Sequence, residues 1–139
     1  MRCLFKRVDG GPKSNVTGFW LIEWKRFFSI ALLRFDDGAR DCYHSHAFNC
    51  ISWVLRGKLH EDRIREEDGH YLPGPSKWVS TWSVFKPSLR PVITTRDNLH
   101  RVHSIGCTWA LTFRGPWVDH WKELRGRKAV TLTHGRKEI

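Results

Sequence analysis

His44-Ser45-His46 sets two imidazoles one residue apart inside the stretch GARDCYHSHAFNCISWVLRG, residues 38–57. Side chains at i and i+2 of a strand leave from the same face. In an extended segment these two rings therefore converge, with Cα atoms roughly 7 Å apart by strand rise. Two neutral imidazoles on one face can share a divalent metal at about 2.0–2.1 Å if a third ligand arrives from another strand. An isolated H-x-H is also compatible with two histidines satisfied by ordinary hydrogen bonds, so the surroundings of the pair decide the reading.

Other residues near the pair carry chemistry of their own. Phe48, Cys50 and Ser52 share strand parity with His46 and so are candidates to face the same space. In KLHEDRI (58–64) His60 and Asp62 alternate, as further ligands or an acid/base pair would, or as the polar face of a strand. A guanidinium recognises carboxylate or phosphate through paired hydrogen bonds, which makes Arg34, Arg56, Arg63 and Arg114 the cationic candidates for substrate contact. One or two of these are expected to face the pocket.

The elements that must position these groups read as β throughout. FWLIEW (19–24) alternates, FFSIALLRF (27–35) reads as a nearly continuous buried run, and DDG (36–38) turns the chain. CISWVLRG (50–57), KLHEDRI (58–64), KWVSTWSVF (77–85), RPVITT (90–95), LHRVHS (99–104) and CTWALTFRG (107–115) follow, with a loop at REEDGHYLPGPS (65–76). Short strands between turn signals are the pattern of an all-β sandwich or barrel. In WVDHWKEL (117–124), Trp117, Trp121 and Leu124 fall at i, i+4 and i+7, which predicts a short helix. The basic end RGRKAVTLTHGRKEI is expected to hold one edge strand and a frayed terminus. Trp20, Trp24, Trp53 and Trp109 lie in strand patterns and are expected to fill the sandwich, while Trp117 and Trp121 close one end or meet a second subunit.

Composition narrows the functional classes. The chain has 139 residues with 40% hydrophobic content, which suits one domain with a modest core. The expected division is a core of about 19–115 and a basic C-terminal extension, 116–139. No stretch reaches the eighteen or more apolar residues of a membrane span, and MRCLFKRVDGGPKS is too polar for a signal peptide, so a cytoplasmic location is expected. The four cysteines form no C-x-x-C pair, so reduced thiols are expected rather than a zinc knuckle or a disulfide framework. A formal charge of +10 spread along the chain serves either solubility or an anionic partner, a nucleotide, a nucleic acid or a carboxylate substrate. The absence of a helix-turn-helix or long basic helix argues against duplex nucleic acid.

Gly38, His44-Ser45-His46, Cys50 and Gly57 resemble the first motif of the cupin family in order and spacing, with cysteine where glutamate usually stands. DNLHRVHSIGCTWALTF (97–113) is similar to the second motif, with His100 at the ligand position and Ser104 where asparagine is common; the proline and glycine expected before that histidine are missing. The resemblance implies a jelly-roll barrel whose metal is held by His44, His46 and His100. Ser104 and Val102 share parity with His100 and so join the candidate pocket.

A three-histidine site with cysteine in the glutamate position is similar to thiol dioxygenases, which use ferrous iron and oxygen. That likeness implies iron first, with zinc, nickel or manganese as alternatives. It also makes Cys50 a catalytic candidate, cross-linked to a tyrosine, for which Tyr43 and Tyr71 are the available residues; a buried apolar thiol is the alternative. The strings H-S-H-A-F-N, L-H-R-V and F-R-G-P-W resemble short cupin-like proteins of tailed bacteriophages, which would place the chain in a host cytoplasm. A homodimer is implied by resemblance to small cupins. Two functions follow as expectations. One is a metal-dependent, oxygenase-like enzyme acting on a small anionic molecule; the other is a nucleotide- or phosphate-binding protein, hydrolytic or not, whose metal is structural.

Overall fold

The computed structural model describes residues 1–39, 42–66, 78–126 and 128–139. In chain order the strands are β1 (Arg2–Asp9), β2 (Val16–Trp24), β3 (Phe28–Phe35), β4 (Gly38–Ala39), β5 (Tyr43–His44), β6 (Cys50–Arg56) and β7 (Leu59–Glu66). They continue with β8 (Trp78–Phe85), β9 (Val92–Thr94), β10 (Leu99–Ser104), β11 (Thr108–Arg114), β12 (His120–Arg125), β13 (Lys128–Thr133) and β14 (Lys137–Glu138). A 3₁₀ turn, His134–Arg136, precedes the last strand. Most of the loop expected at 65–76, Tyr71 included, lies outside the described residues.

The strands pair antiparallel in two sheets. One has six strands in the order β1-β2-β3-β11-β6-β9; the other has eight and runs β14-β13-β12-β5-β10-β7-β8, with β4 paired to β10. Neighbours in the six-stranded sheet come from distant parts of the chain, so β6 and β3 flank β11. The sandwich is the all-β jelly-roll type that the strand spacing predicts.

The inward face of the six-stranded sheet carries small and polar side chains. Ser29, Ala31 and Leu33 of β3 and Thr108, Ala110, Thr112 and Arg114 of β11 are buried there, and Cys50, Ser52 and Val54 of β6 line the space between the sheets. Small residues on that face leave a hollow where a sandwich would otherwise be filled. Packing is concentrated at one end, where Trp20, Ala31 and Leu33 are joined by Phe5, Val16 and Phe35.

Gly38 and Gly57, which bound the first motif, both have positive φ, +108° and +92°. Gly38 has open space around it, whereas a Cβ on Gly57 would meet the Cys107 carbonyl oxygen and the Thr108 side chain and Cα at 2.5–2.8 Å. Glycine is required at the second position twice over, by conformation and by close approach.

Four expectations need correction. Residues 120–125 form strand β12, not a helix, because they pair with β5 on one side and β13 on the other. Trp117 and Trp121 share strand parity as well as helical spacing, so the i, i+4 signal did not discriminate. The run 27–35 alternates rather than being buried on both faces, with Phe28 42% exposed. Of the four tryptophans expected inside, only Trp20 is buried; Trp24 is exposed, and Trp53 and Trp109 are only partly buried on the outer face of their sheet. Finally, the C-terminal segment is not a frayed appendage, since β12, β13 and β14 complete the eight-stranded sheet.

Candidate metal centre and its cavity

β5 is only two residues long, yet it is held on both edges: His44 pairs with His100 of β10 and with Glu123 of β12. The grip continues one residue further, where Ser45 N–H donates to the Lys122 carbonyl at 2.8 Å and Lys122 N–H donates to Ser45 Oγ at 2.9 Å. His46 follows just past the strand. The three rings meet with centroids 4.9 to 5.0 Å apart, and one nitrogen from each lies within 4.8 Å of the others.

The donor geometry fits a divalent ion. His46 Nε2 and His100 Nε2 are 2.9 Å apart, the separation of two ligand atoms on one metal at about 2.0–2.1 Å and near a right angle. His44 Nδ1 lies 3.4 Å from the Cys42 carbonyl oxygen, a contact that fits a proton at Nδ1 and an open Nε2. His100 Nδ1 donates to Glu61 Oε2 at 2.7 Å, with both side chains buried. A proton held at Nδ1 leaves the Nε2 lone pair for the ion, the arrangement by which a carboxylate orients a metal-bound imidazole. Without an ion or a proton between them, the lone pairs on His46 and His100 would face each other.

Glu61 is the functional residue that the sequence reading missed. Burial alone would raise its carboxyl; the donors His100 and Arg63 more than offset this and hold it below the usual carboxylate range. In KLHEDRI it was His60 and Asp62 that attracted notice, but β7 turns the other parity inward, and Leu59 and Glu61 line the cavity. Arg63, one of the substrate candidates, is occupied in positioning Glu61: it also donates to Asn98 Oδ1 at 3.1 Å and to the Ile93 carbonyl at 2.8 Å.

The histidines stand at the wall of a cavity of about 500 Å³ that runs between the sheets. Phe48 and Cys50, expected here by parity, line it, and so do Ser52 and Val102. Arg114 lines it too, with its side chain only 4% exposed; it donates both Nη atoms to Asp9 of β1, at 2.6 and 3.3 Å. Burial works against the guanidinium charge, and the Asp9 carboxylate more than offsets it, so Arg114 stays charged. Burial also pushes the Cys50 thiol above its ordinary range, outweighing the nearby Arg114 charge. A protonated thiol is a poor nucleophile and a poor ligand, and the group of donors able to hold an ion comprises the three imidazoles without Cys50.

The remaining candidates lie elsewhere. Tyr43 precedes His44 and so faces the opposite side of its sheet, where its hydroxyl donates to the Asp62 carboxylate and Arg101 packs over its ring. This sets it apart from Cys50 as a cross-linking partner. His60 sits edge-on to Trp82 on that same outer side. Arg34 bridges to Asp36 at 3.4 Å, and Arg56 is exposed at the end of β6. Ser104 is buried at the far end of β10, bonded to the Gly106 carbonyl and to Thr108. The cations that do line the cavity besides Arg114 are Arg7, Lys25 and Arg136, drawn from the first strand, a hairpin and the C-terminal turn, where no motif flagged them.

No protein-family model and no curated protein matches the chain. Solved structures do match. A sugar phosphate isomerase of the cupin superfamily from Silicibacter pomeroyi aligns with a TM-score of 0.53 at 11% identity, over 98% of this chain and 92% of that one. The capsular polysaccharide assembling protein CapF from Staphylococcus aureus aligns with a TM-score of 0.54 at 14% identity, over 84% of this chain and 31% of CapF. An oxalate oxidase aligns with a TM-score of 0.51 at 13% identity, over 79% of this chain and 56% of that one. The chain therefore spans about a third of CapF and about half of the oxalate oxidase. At such identities the likeness establishes the fold: the chain has the cupin fold, and its three histidines form a cluster able to hold a metal. Among the described residues no helix is long and apolar enough to cross a membrane.

Proposed function

We propose that the chain is a metal-dependent enzyme of the oxygenase type that acts on a small anionic molecule in the three-histidine cavity. The observation that carries this reading is the pairing of an all-imidazole donor set, oriented by Glu61, with the buried cation Arg114 in one cavity. Three neutral imidazoles bring no negative charge to a divalent ion, so its double charge is left facing the cavity beside the guanidinium. An oxyanion entering there meets both.

When bound, the metal supplies Lewis acidity and open coordination positions for substrate and for water or oxygen. The chain's own part is to hold the imidazoles in one tautomer, to keep the Cys50 thiol protonated, and to shield the reacting group from bulk water between the sheets. Iron is the expected ion by resemblance; zinc, nickel and manganese accept the same ligands, and availability weighs in the choice. A second reading, a nucleotide- or phosphate-binding protein with a structural metal, is supported by the cations Arg7, Lys25 and Arg136 along the cavity.

The test is elemental analysis of untagged protein followed by oxygen-uptake assays against a panel of organic acids and nucleotides. About one divalent ion per chain is expected, lost in the His44→Ala, His46→Ala double variant. Full metal content in that variant would overturn the site. Binding of an acid without its consumption would favour the second reading.

A further inference from the structure

Lys25 differs from the arginines that line the cavity. Arg7, Arg114 and Arg136 each pair with a carboxylate, Glu23, Asp9 and Glu123 respectively. Lys25 lines the same cavity with no carboxylate partner among the described residues; its Nζ rests 4.4 Å from the centroid of the Trp117 ring. The Trp117 indole Nε1 is buried and makes no hydrogen bond, and neither does Nε of Arg114. Neither atom is open to the cavity space, so the group at Trp117 that an entering acid can reach is the Lys25 ammonium.

Phe48 ties these donors to the metal cluster. Its ring stacks on His46 at 5.0 Å, lies 5.1 Å from the Trp117 ring, and carries the Arg114 guanidinium at 4.4 Å. Trp117 is fixed at both flanks of this arrangement: its N–H donates to the Lys25 carbonyl at 2.8 Å, and the next N–H, of Val118, donates to Ala47 at 2.7 Å. These bonds hold the Trp117 main chain between Lys25 and the 44–48 segment.

Two anion-attracting points thus lie along one aromatic wall, the metal with Arg114 at one end and Lys25 over the Trp117 ring at the other. Two ring spacings separate His46 from Trp117. We propose that Lys25 and Trp117 form a second acid subsite, and that the ligand of the cavity is a diacid, two carboxylate or phosphate groups on a short apolar body that lies against Phe48. The inference rests on the reading of the cavity as an anion site at a metal, and it adds a second charge and a length. A body too short to span the Phe48 ring leaves one acid group unbound.

The test is isothermal titration of the protein as purified, metal-loaded, with the dicarboxylates malonate, succinate, glutarate and adipate and with the monocarboxylates butyrate and valerate. Wild type is expected to bind succinate, glutarate or adipate at least about tenfold more tightly than either monoacid, the worth of one charge-assisted hydrogen bond, with malonate weaker than the longer diacids. Lys25→Met should erase that preference while leaving monoacid affinity in place, and Lys25→Arg should restore it. Equal binding of mono- and diacids by wild type, or a preference that survives Lys25→Met, overturns the second subsite and leaves the anion site standing. Absence of binding by both classes overturns the two together.

Discussion

The Nδ1 atom of His100 lies 2.7 Å from the Glu61 carboxylate, across 39 residues of sequence. That contact joins β10 to β7 inside the sandwich and decides which nitrogen of His100 faces His46.

Replacing Glu61 should weaken metal binding without unmaking the fold. A carboxylate that orients a ligating imidazole in this way is worth about 10–100-fold in affinity. Glu61→Gln, which keeps an acceptor for the imidazole N–H, should fall at the lower end, and competition titration against a chelating dye measures it. An unchanged affinity would show that the His100 tautomer is set otherwise. His60→Ala and Tyr43→Phe, on the outer side of the sheet, should leave metal content intact.

Arg114 is buried and its partner Asp9 partly so, and leaving a buried charge without its partner costs about 3–5 kcal/mol. Asp9→Ala should therefore lower the melting temperature strongly. Added acetate should recover more stability in that variant than in wild type, because it can take up the exposed guanidinium. A variant that melts like wild type would sink the argument.

Cys50 should be the slowest thiol to react. Cys3 and Cys107 are exposed, whereas burial holds Cys50 above the ordinary thiol value of 9.0. With a disulfide reagent at neutral pH, Cys3 and Cys107 should be modified first, and Cys50 only in unfolding conditions. The sign for stability follows from the same shift: a raised folded-state value favours the neutral thiol, so its contribution is complete below pH 9.0 and is lost as pH rises from there through the higher folded-state value. Cys50→Ser should flatten this alkaline decline in a melting-temperature profile.

Gly57→Ala should destabilise the protein more than Gly38→Ala. Both positions have positive φ, which costs a non-glycine residue about 1–3 kcal/mol, but only at Gly57 would the added methyl press on the backbone of Cys107 and Thr108. Denaturant midpoints of the two variants measure the difference, and equal losses would remove the steric part of the explanation.

The sequence by itself was enough for the β class, for most strand positions and for the histidines that form the cluster, because these depend on short-range order. Alternation along LHRVHS gives β10 its bounds, and the spacing of His44 and His46 is legible within three residues. The identity of the inward face was not legible. On β11 both parities are consistent with a strand, and the face with Thr112 and Arg114 turned inward while Trp109 and Phe113 turned out, against the usual direction of burial. Pairing with β3 and β6 and the opposing sheet decided it, and those partners come from far along the chain. The same holds for Glu61, for Lys25 beside Trp117, and for the strand made by residues 120–125. Each takes its role from a neighbour remote in sequence, and only closure of the two sheets around the cavity brings such neighbours within hydrogen-bonding or stacking distance.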